Sequence, residues 1–208
     1  MERRFLYASA GELAAMIRNG EATSHAIVEA QINYIKNTNY KTNAFVWLFE
    51  AEALDAAKAA DERVARGEPT GLLHGVPVSV KEEFWVKGKP NTLNAEMFQG
   101  FKAPRNGEIV DALVEQGAII IGTTNVPMML GDLQTFGEIY PAASNPYDAR
   151  RTPGGSTGGG AASVALSPNL PILDKEAVED LEDTPEAEAE AIEEQVLDQA
   201  TAARSIGR

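Results

Sequence analysis

The early part of the chain spaces its apolar residues as helices do. Ser9-Ala10-Gly11-Glu12 has the form of a capping box ahead of Leu13 and Met16. In such a box a hydroxyl accepts from a free N–H of the first turn while a carboxylate reaches back to the cap. Thr23 and Ser24 are suited to start a second helix running to about Lys36, with Ile27, Ala30, Ile32 and Ile35 on its buried face. A third, rich in alanine and charge, is predicted from about Glu50 to Arg66, where Gly67 and Pro69 stop it.

The period then changes. Gly75-Val76-Pro77-Val78-Ser79-Val80-Lys81 is short, β-branched and bounded by glycine, and so reads as a strand. Pro77 restricts pairing near its start. Glu108 to Gln116 reads as a helix with Ile109, Val110 and Leu113 inward, ended by Gly117. Ala118-Ile119-Ile120-Ile121-Gly122 is continuously apolar, as a strand buried on both faces would be. Helix alternating with strand predicts an α/β fold with a mainly parallel sheet.

Beyond Ser167 the pattern fades. No aromatic follows Tyr147, Pro168 and Pro171 interrupt the chain, and Glu176 to Asp198 is acidic and alanine-rich. The net charge is −13. Residues 168–208 account for most of it, with twelve acidic residues against Lys175, Arg204 and Arg208. Neither the near-neutral body nor the acidic tail suits a phosphate backbone, so a nucleic-acid partner is not expected. The 208 residues allow one ordinary domain with an appendage. No apolar run approaches the ~20 residues that span a bilayer, and no secretory signal follows Met1, so no membrane role is expected. Cysteine is absent, which removes disulfide and thiolate chemistry and fits a cytoplasmic protein.

Two places hold candidate chemistry. Lys81 closes an apolar strand, with Ser79 and Glu83 on its side and Val78, Val80 and Glu82 on the other if the strand continues. A lysine in a dry pocket loses the hydration that favours its ammonium form and can act as a base. A strand-end lysine also commonly snorkels to solvent, and the spacing alone leaves both readings open. The second place is Pro153-Gly154-Gly155-Ser156-Thr157-Gly158-Gly159-Gly160, which reads as a turn displaying Ser156 ahead of a small-residue helix from Ala161. A flexible linker is an alternative. The run lacks the Lys-Ser/Thr of a phosphate-binding loop and is not the Gly-x-Ser-x-Gly elbow of a hydrolase triad. His25 and His74, the two histidines, fall in a predicted helix and beside a glycine, so each is expected to be structural or at the surface.

These residues carry a resemblance. Gly71-Leu72-Leu73-His74-Gly75-Val76-Pro77-Val78-Ser79-Val80-Lys81-Glu82 resembles the lysine-bearing segment of the amidase signature family. Thr124-Asn125-Val126-Pro127, Ser144-Asn145-Pro146-Tyr147-Asp148 and Arg151 to Gly159 resemble its following blocks, in order. The resemblance covers about residues 5–166. It implies the N-terminal part of an α/β fold with a mixed sheet covered by helices. It also implies cleavage of carbonyl–nitrogen bonds, or transfer of the ammonia released; no cofactor is expected, and two histidines without any cysteine give no support to a metal site. It maps Lys81 onto the catalytic lysine and Ser156 onto the serine whose peptide bond is cis. Thr157 stands where a second serine is usual, and Glu82 where Asp is usual.

The resemblance further implies an attacking serine downstream, in a run like Thr-Asp-Ile-Gly-Gly-Ser whose N–H groups also hold the oxyanion. The corresponding region, Asp174 to Leu181, has neither glycine nor serine. Ser163 and Ser167 lack glycine-flanked backbone nearby and are not expected to substitute. The expected organisation is a partial amidase domain over 1–166 and an acidic tail, helical or disordered, over 167–208. Such a chain is expected to bind a small amide but to be inactive alone. It would be complemented by a C-terminal amidase segment, or self-associate through an open edge or face around Ile119–Ile121. The alternatives are a truncated or chimeric non-catalytic fragment, and a binding module acting through its tail.

Overall fold

The computed structural model describes residues 3–68 and 70–166. The predicted acidic tail, its helix and Ser167 lie outside the described residues. The chain runs α1 (Arg3–Tyr7), α2 (Ala10–Arg18), α3 (Ser24–Thr42), β1 (Phe45–Leu48), α4 (Glu50–Ala65), β2 (Pro77–Lys81), α5 (Glu108–Glu115), β3 (Ile119–Thr124) and α6 (Gly158–Ala165). Among the described residues no helix is long and apolar enough to cross a membrane.

The capping box at Ser9 and Glu12 forms as the sequence predicts. Thr23 caps α3, accepting from the Ala26 N–H. Two more free N–H groups of that first turn, those of Ser24 and His25, donate to the Asp61 carboxylate of α4 at 2.6 and 3.0 Å. This answers the unmet donors of a helix start with a side chain from a neighbouring helix. The helix runs about one and a half turns past Lys36 and ends at Asn43, whose φ of 49° turns the chain out of it; its buried surface is double. Val28, Ile32 and Ile35 pack with Ala53, Ala57 and Ala60 of α4 and with Ile119 and Ile121. Ile27 and Ala30 pack with Phe5, Leu13, Ala14, Ile17 and Val76. The alanine stripe of α4 lets α3 approach closely.

The sheet has the order β1-β3-β2. β3 pairs in parallel with β2, setting Pro77 against Ile119 and Lys81 against Thr124. It pairs antiparallel with β1, setting Phe45 against Thr124. The sheet is therefore mixed, as the family resemblance implies, and not mainly parallel. β1 was not anticipated, since four residues leave little room for alternation to register. β3 is the central strand with Ile119 and Ile121 buried, so the open edge expected there is closed by β1 and β2. In α5, Val110 is buried as expected, but Ile109 is 54% exposed.

Candidate active site

The site begins where β2 ends. Ser24 Oγ donates to the Gly75 carbonyl at 2.7 Å, tying the start of α3 to the lead-in of β2. The strand then delivers Lys81 beside the C-terminal end of β3. A tight turn follows, in which the Phe84 N–H donates to the Lys81 carbonyl at 2.9 Å.

The second component is the glycine-rich segment. Thr135 Oγ1 donates to the Gly154 carbonyl at 2.7 Å and fixes its entry. The Gly155–Ser156 peptide bond is cis. The sequence predicts a helix from Ala161, yet α6 starts at Gly158. The glycines serve close approach here. A methyl on Gly158 would overlap Thr135, and one on Gly159 would overlap the backbone of Asn125 and Ala44. The Gly159 N–H donates to the Asn125 carbonyl at 3.1 Å, which seats the first turn of α6 at the end of β3. Asn125 is itself held by its Nδ2, which donates to the carbonyls of Asn43 and Pro141, both at 3.0 Å.

These constraints bring Lys81 and Ser156 together. Lys81 Nζ donates to Ser156 Oγ at 2.9 Å across 75 residues of sequence. The lysine side chain is 11% exposed, so it does not snorkel into solvent. Glu83 joins the pair, its Oε2 lying 2.8 Å from the same Nζ. Thr157 is exposed. Ser163 is engaged within α6, donating to the Gly160 carbonyl at 2.8 Å. His74 is buried with Nε2 3.0 Å from the Ala60 carbonyl, a structural placement as expected. His25 sits in the first turn of α3.

Glu82 points away from the lysine and is fully buried. Its Oε1 accepts from the Tyr140 hydroxyl at 2.6 Å, the Thr92 N–H at 3.0 Å and Thr92 Oγ1 at 3.1 Å. Trp47 Nε1 donates to the Tyr140 oxygen at 2.8 Å. Burial first, and then the hydrogen bond to the Glu82 carboxylate, holds the Tyr140 phenol well above the usual tyrosine value. The network ties the end of β2 to the loops around residues 92 and 140. Sequence reasoning placed Glu82 and Glu83 on opposite sides of the strand but gave neither a partner. Tyr140 and Thr92 carried no signal, because a buried polar contact leaves no periodic trace.

The chain is similar to known proteins over most of its described length. The amidase family model matches residues 26–168. The chain is 36% identical over 163 residues to the A-type subunit of the glutamyl-tRNA(Gln) amidotransferase of Clostridium botulinum (strain Eklund 17B / Type B), covering 78% of this chain and 33% of that protein. It is 40% identical over 154 residues to the corresponding protein of Anaeromyxobacter dehalogenans (strain 2CP-C), covering 74% and 31%. The chain thus spans about a third of the length of these relatives. Among solved structures it is similar to fatty acid amide hydrolase, with a TM-score of 0.73 and 27% identity over 78% of this chain and 30% of that one. A bacterial aryl acylamidase gives a TM-score of 0.73 and 27% identity over 77% and 34%. With the family model matched over more than half its length and its fold shared with solved amidase signature enzymes, the chain belongs to the amidase signature family.

Proposed function

We propose that this chain carries the proton-handling part of an amide-cleaving site. Lys81 is the base, and Ser156 relays the proton between it and an attacking hydroxyl. The reading is carried by one observation, the 2.9 Å contact between a nearly buried lysine and a serine 75 residues away. A hydroxyl is a poor nucleophile until a base takes its proton. The Lys81 amine takes the Ser156 proton as Ser156 takes that of the attacker, which bonds to the amide carbon. The proton then returns along the same path to the departing nitrogen. The substrate class is a small amide, and ammonia transfer is an equivalent outcome of the same chemistry.

The attacking hydroxyl comes from a Gly-Gly-Ser segment outside these 208 residues, since Gly207 is the one glycine after Gly160 and has no Gly-Gly-Ser run around it. The test is ammonia release from simple aliphatic and aryl amides. The chain alone should show no turnover. Mixed with the C-terminal segment of an amidase signature relative, it should gain turnover that Lys81→Ala lowers by on the order of a thousandfold. Turnover that survives Lys81→Ala refutes the base. A second reading, a non-catalytic scaffold or a binding module using its acidic tail, is favoured by the strongly acidic composition of 168–208. Inertness in both arms would support it.

A further inference from the structure

The two edges of the sheet are finished differently. β1 and β2 both lie at the outside of the order β1-β3-β2. On the outer side of β1 the Asn39 side chain serves Phe45. Its Oδ1 accepts from the Phe45 N–H at 2.8 Å, and its Nδ2 donates to the Phe45 carbonyl at 2.9 Å. An amide thus stands where a further strand would pair. β2 has no such cover. The Val76 carbonyl accepts from the Ile119 N–H at 2.9 Å, and the Glu82 N–H donates to the Thr124 carbonyl at 3.2 Å. The residue skipped in the pairing is Ile121 of β3, so alternation along β2 is unbroken from Val76 to Glu82. That alternation turns the Pro77 carbonyl, the Ser79 N–H and carbonyl, and the Lys81 N–H away from β3. Among the described residues no strand pairs on that side, and no loop or side chain bonds to these groups. Two other positions on the same side are already settled. The Lys81 carbonyl accepts from the Phe84 N–H at 2.9 Å, and Pro77 has no N–H to give. A row of open backbone groups is a template for another chain.

This edge complements itself in one register. With a second copy laid antiparallel and Ser79 opposite Ser79, the two serines exchange both of their backbone bonds. Each Lys81 N–H then meets the Pro77 carbonyl of the other copy. The N–H that Pro77 lacks falls opposite the Lys81 carbonyl that Phe84 already serves, so no group is left wanting. The neighbouring registers fail this test. Pro77 opposite Ser79 leaves the serine carbonyl without a donor. Ser79 opposite Lys81 aims the serine N–H at a carbonyl already engaged. Side chains suit the same register. Val78, half-buried in the single chain, comes opposite Val80 of the other copy, and β-branched pairs across strands are favourable. Lys81 comes opposite Pro77, so the two lysines do not face each other. We propose that the outer edge of β2 is an interface and that its occupant is a second copy of this chain, paired β2 to β2 about a two-fold axis at Ser79. The inference stands apart from the proton relay, since it rests on the backbone of β2 and not on the Lys81 amine.

The test is the mass of the full chain by sedimentation equilibrium at rising concentration. The native chain should climb from 22.3 kDa towards twice that value. Ser79→Lys and Ser79→Asp each set like charges directly opposite, and each alone should stay near 22.3 kDa. An equimolar mixture of the two should recover the doubled mass, because position 79 faces itself in this register. Ser79→Cys gives a second reading that changes the side chain little. The chain has no cysteine of its own, so a disulfide-linked dimer reports this contact alone. Opposed Cα atoms of a hydrogen-bonded pair lie ~5.5 Å apart, within disulfide reach. Under mild oxidation Ser79→Cys should link about tenfold faster than Leu72→Cys, placed at an exposed site, because pairing raises the effective concentration of the thiols. A native chain that keeps its single mass overturns the proposal and leaves the edge to another strand, such as one from a C-terminal amidase segment. A doubled mass that survives both charged variants overturns it by moving the contact elsewhere. Charged variants that stay single when mixed overturn the register, as does Ser79→Cys linking no faster than Leu72→Cys.

Discussion

Ile32 and Asn94 are equally buried, 1% and 0% exposed, and each sits at the centre of its part of the molecule. Ile32 lies in the helical layer, among Val28, Ile35, Ala53, Ala57 and the isoleucines of β3. What it contributes is apolar area, roughly indifferent to direction. Asn94 lies among the loops that flank the site. Its Nδ2 donates to the Val126 carbonyl at 2.9 Å, and its Oδ1 accepts from the N–H groups of Ile139 and Tyr140 at 3.0 and 2.9 Å. Its own N–H donates to Thr92 Oγ1 at 3.1 Å, its carbonyl accepts from Glu138 at 3.1 Å, and its φ is +51°. Burial alone can hold a helix against a sheet. It cannot aim a loop, and the contact between Lys81 and Ser156 requires loops that are aimed. The polar half of the molecule therefore uses directional bonds where the helical half uses area.

The contrast is broken most easily at Asn94. Leucine has the same branched skeleton with bulkier methyl ends, so Asn94→Leu keeps the shape and removes the partners. It leaves a buried carbonyl and two half-buried N–H groups unmatched, together worth about 3 kcal/mol or more, and puts a branched aliphatic side chain at positive φ. A loss of about 4 kcal/mol or more is expected, read from the urea midpoint at constant slope. A loss under about 1 kcal/mol would mean that the loops are held by packing after all.

At Ile32 the expected cost follows volume. Ile32→Ala should cost about 3 kcal/mol and Ile32→Val about 1 kcal/mol, because the second leaves most of the packed atoms in place. Equal costs for the two would show that the helical layer is as exacting as the loops, and the distinction would fail. Urea unfolding of both variants decides it.

The same division governs what could be read from the sequence. Ser9, Thr23, Ile27, Ile32 and Ile35 declared themselves, because capping and a 3.6-residue period are local signals that survive without the third dimension. Lys81 and Ser156 stood out through the motifs around them, and the structure places them in contact. The doubled buried surface of α3 was missed because its two faces blur one stripe into two. The start of α6 was misplaced because glycines that permit close approach read like glycines that permit a turn. The Glu82–Thr92–Tyr140–Trp47 network was invisible, since it joins four segments whose spacing follows no period.

That network supplies the smallest of the expected effects and the sharpest in its pH dependence. Tyr140→Phe removes the hydroxyl that links Trp47 to Glu82 but leaves Glu82 its two donors from Thr92. A cost of about 1 kcal/mol at neutral pH is expected. In the native protein, burial and then Glu82 raise the Tyr140 phenol above its ordinary value of 10.0. The folded state thus keeps its proton where the unfolded chain has begun to lose it. The associated stability is whole below about pH 10 and drains away as pH rises through the higher folded value. Between those limits the native protein should lose stability with pH more steeply than Tyr140→Phe. The difference should fall short of the ~1.4 kcal/mol per pH unit that one full proton gives, because the side chain is only half-buried. Ionisations elsewhere in the chain cancel in the comparison. Parallel stability curves for the two proteins above pH 10 would mean that Tyr140 meets water freely, and the directional network at the end of β2 would then lose its central member.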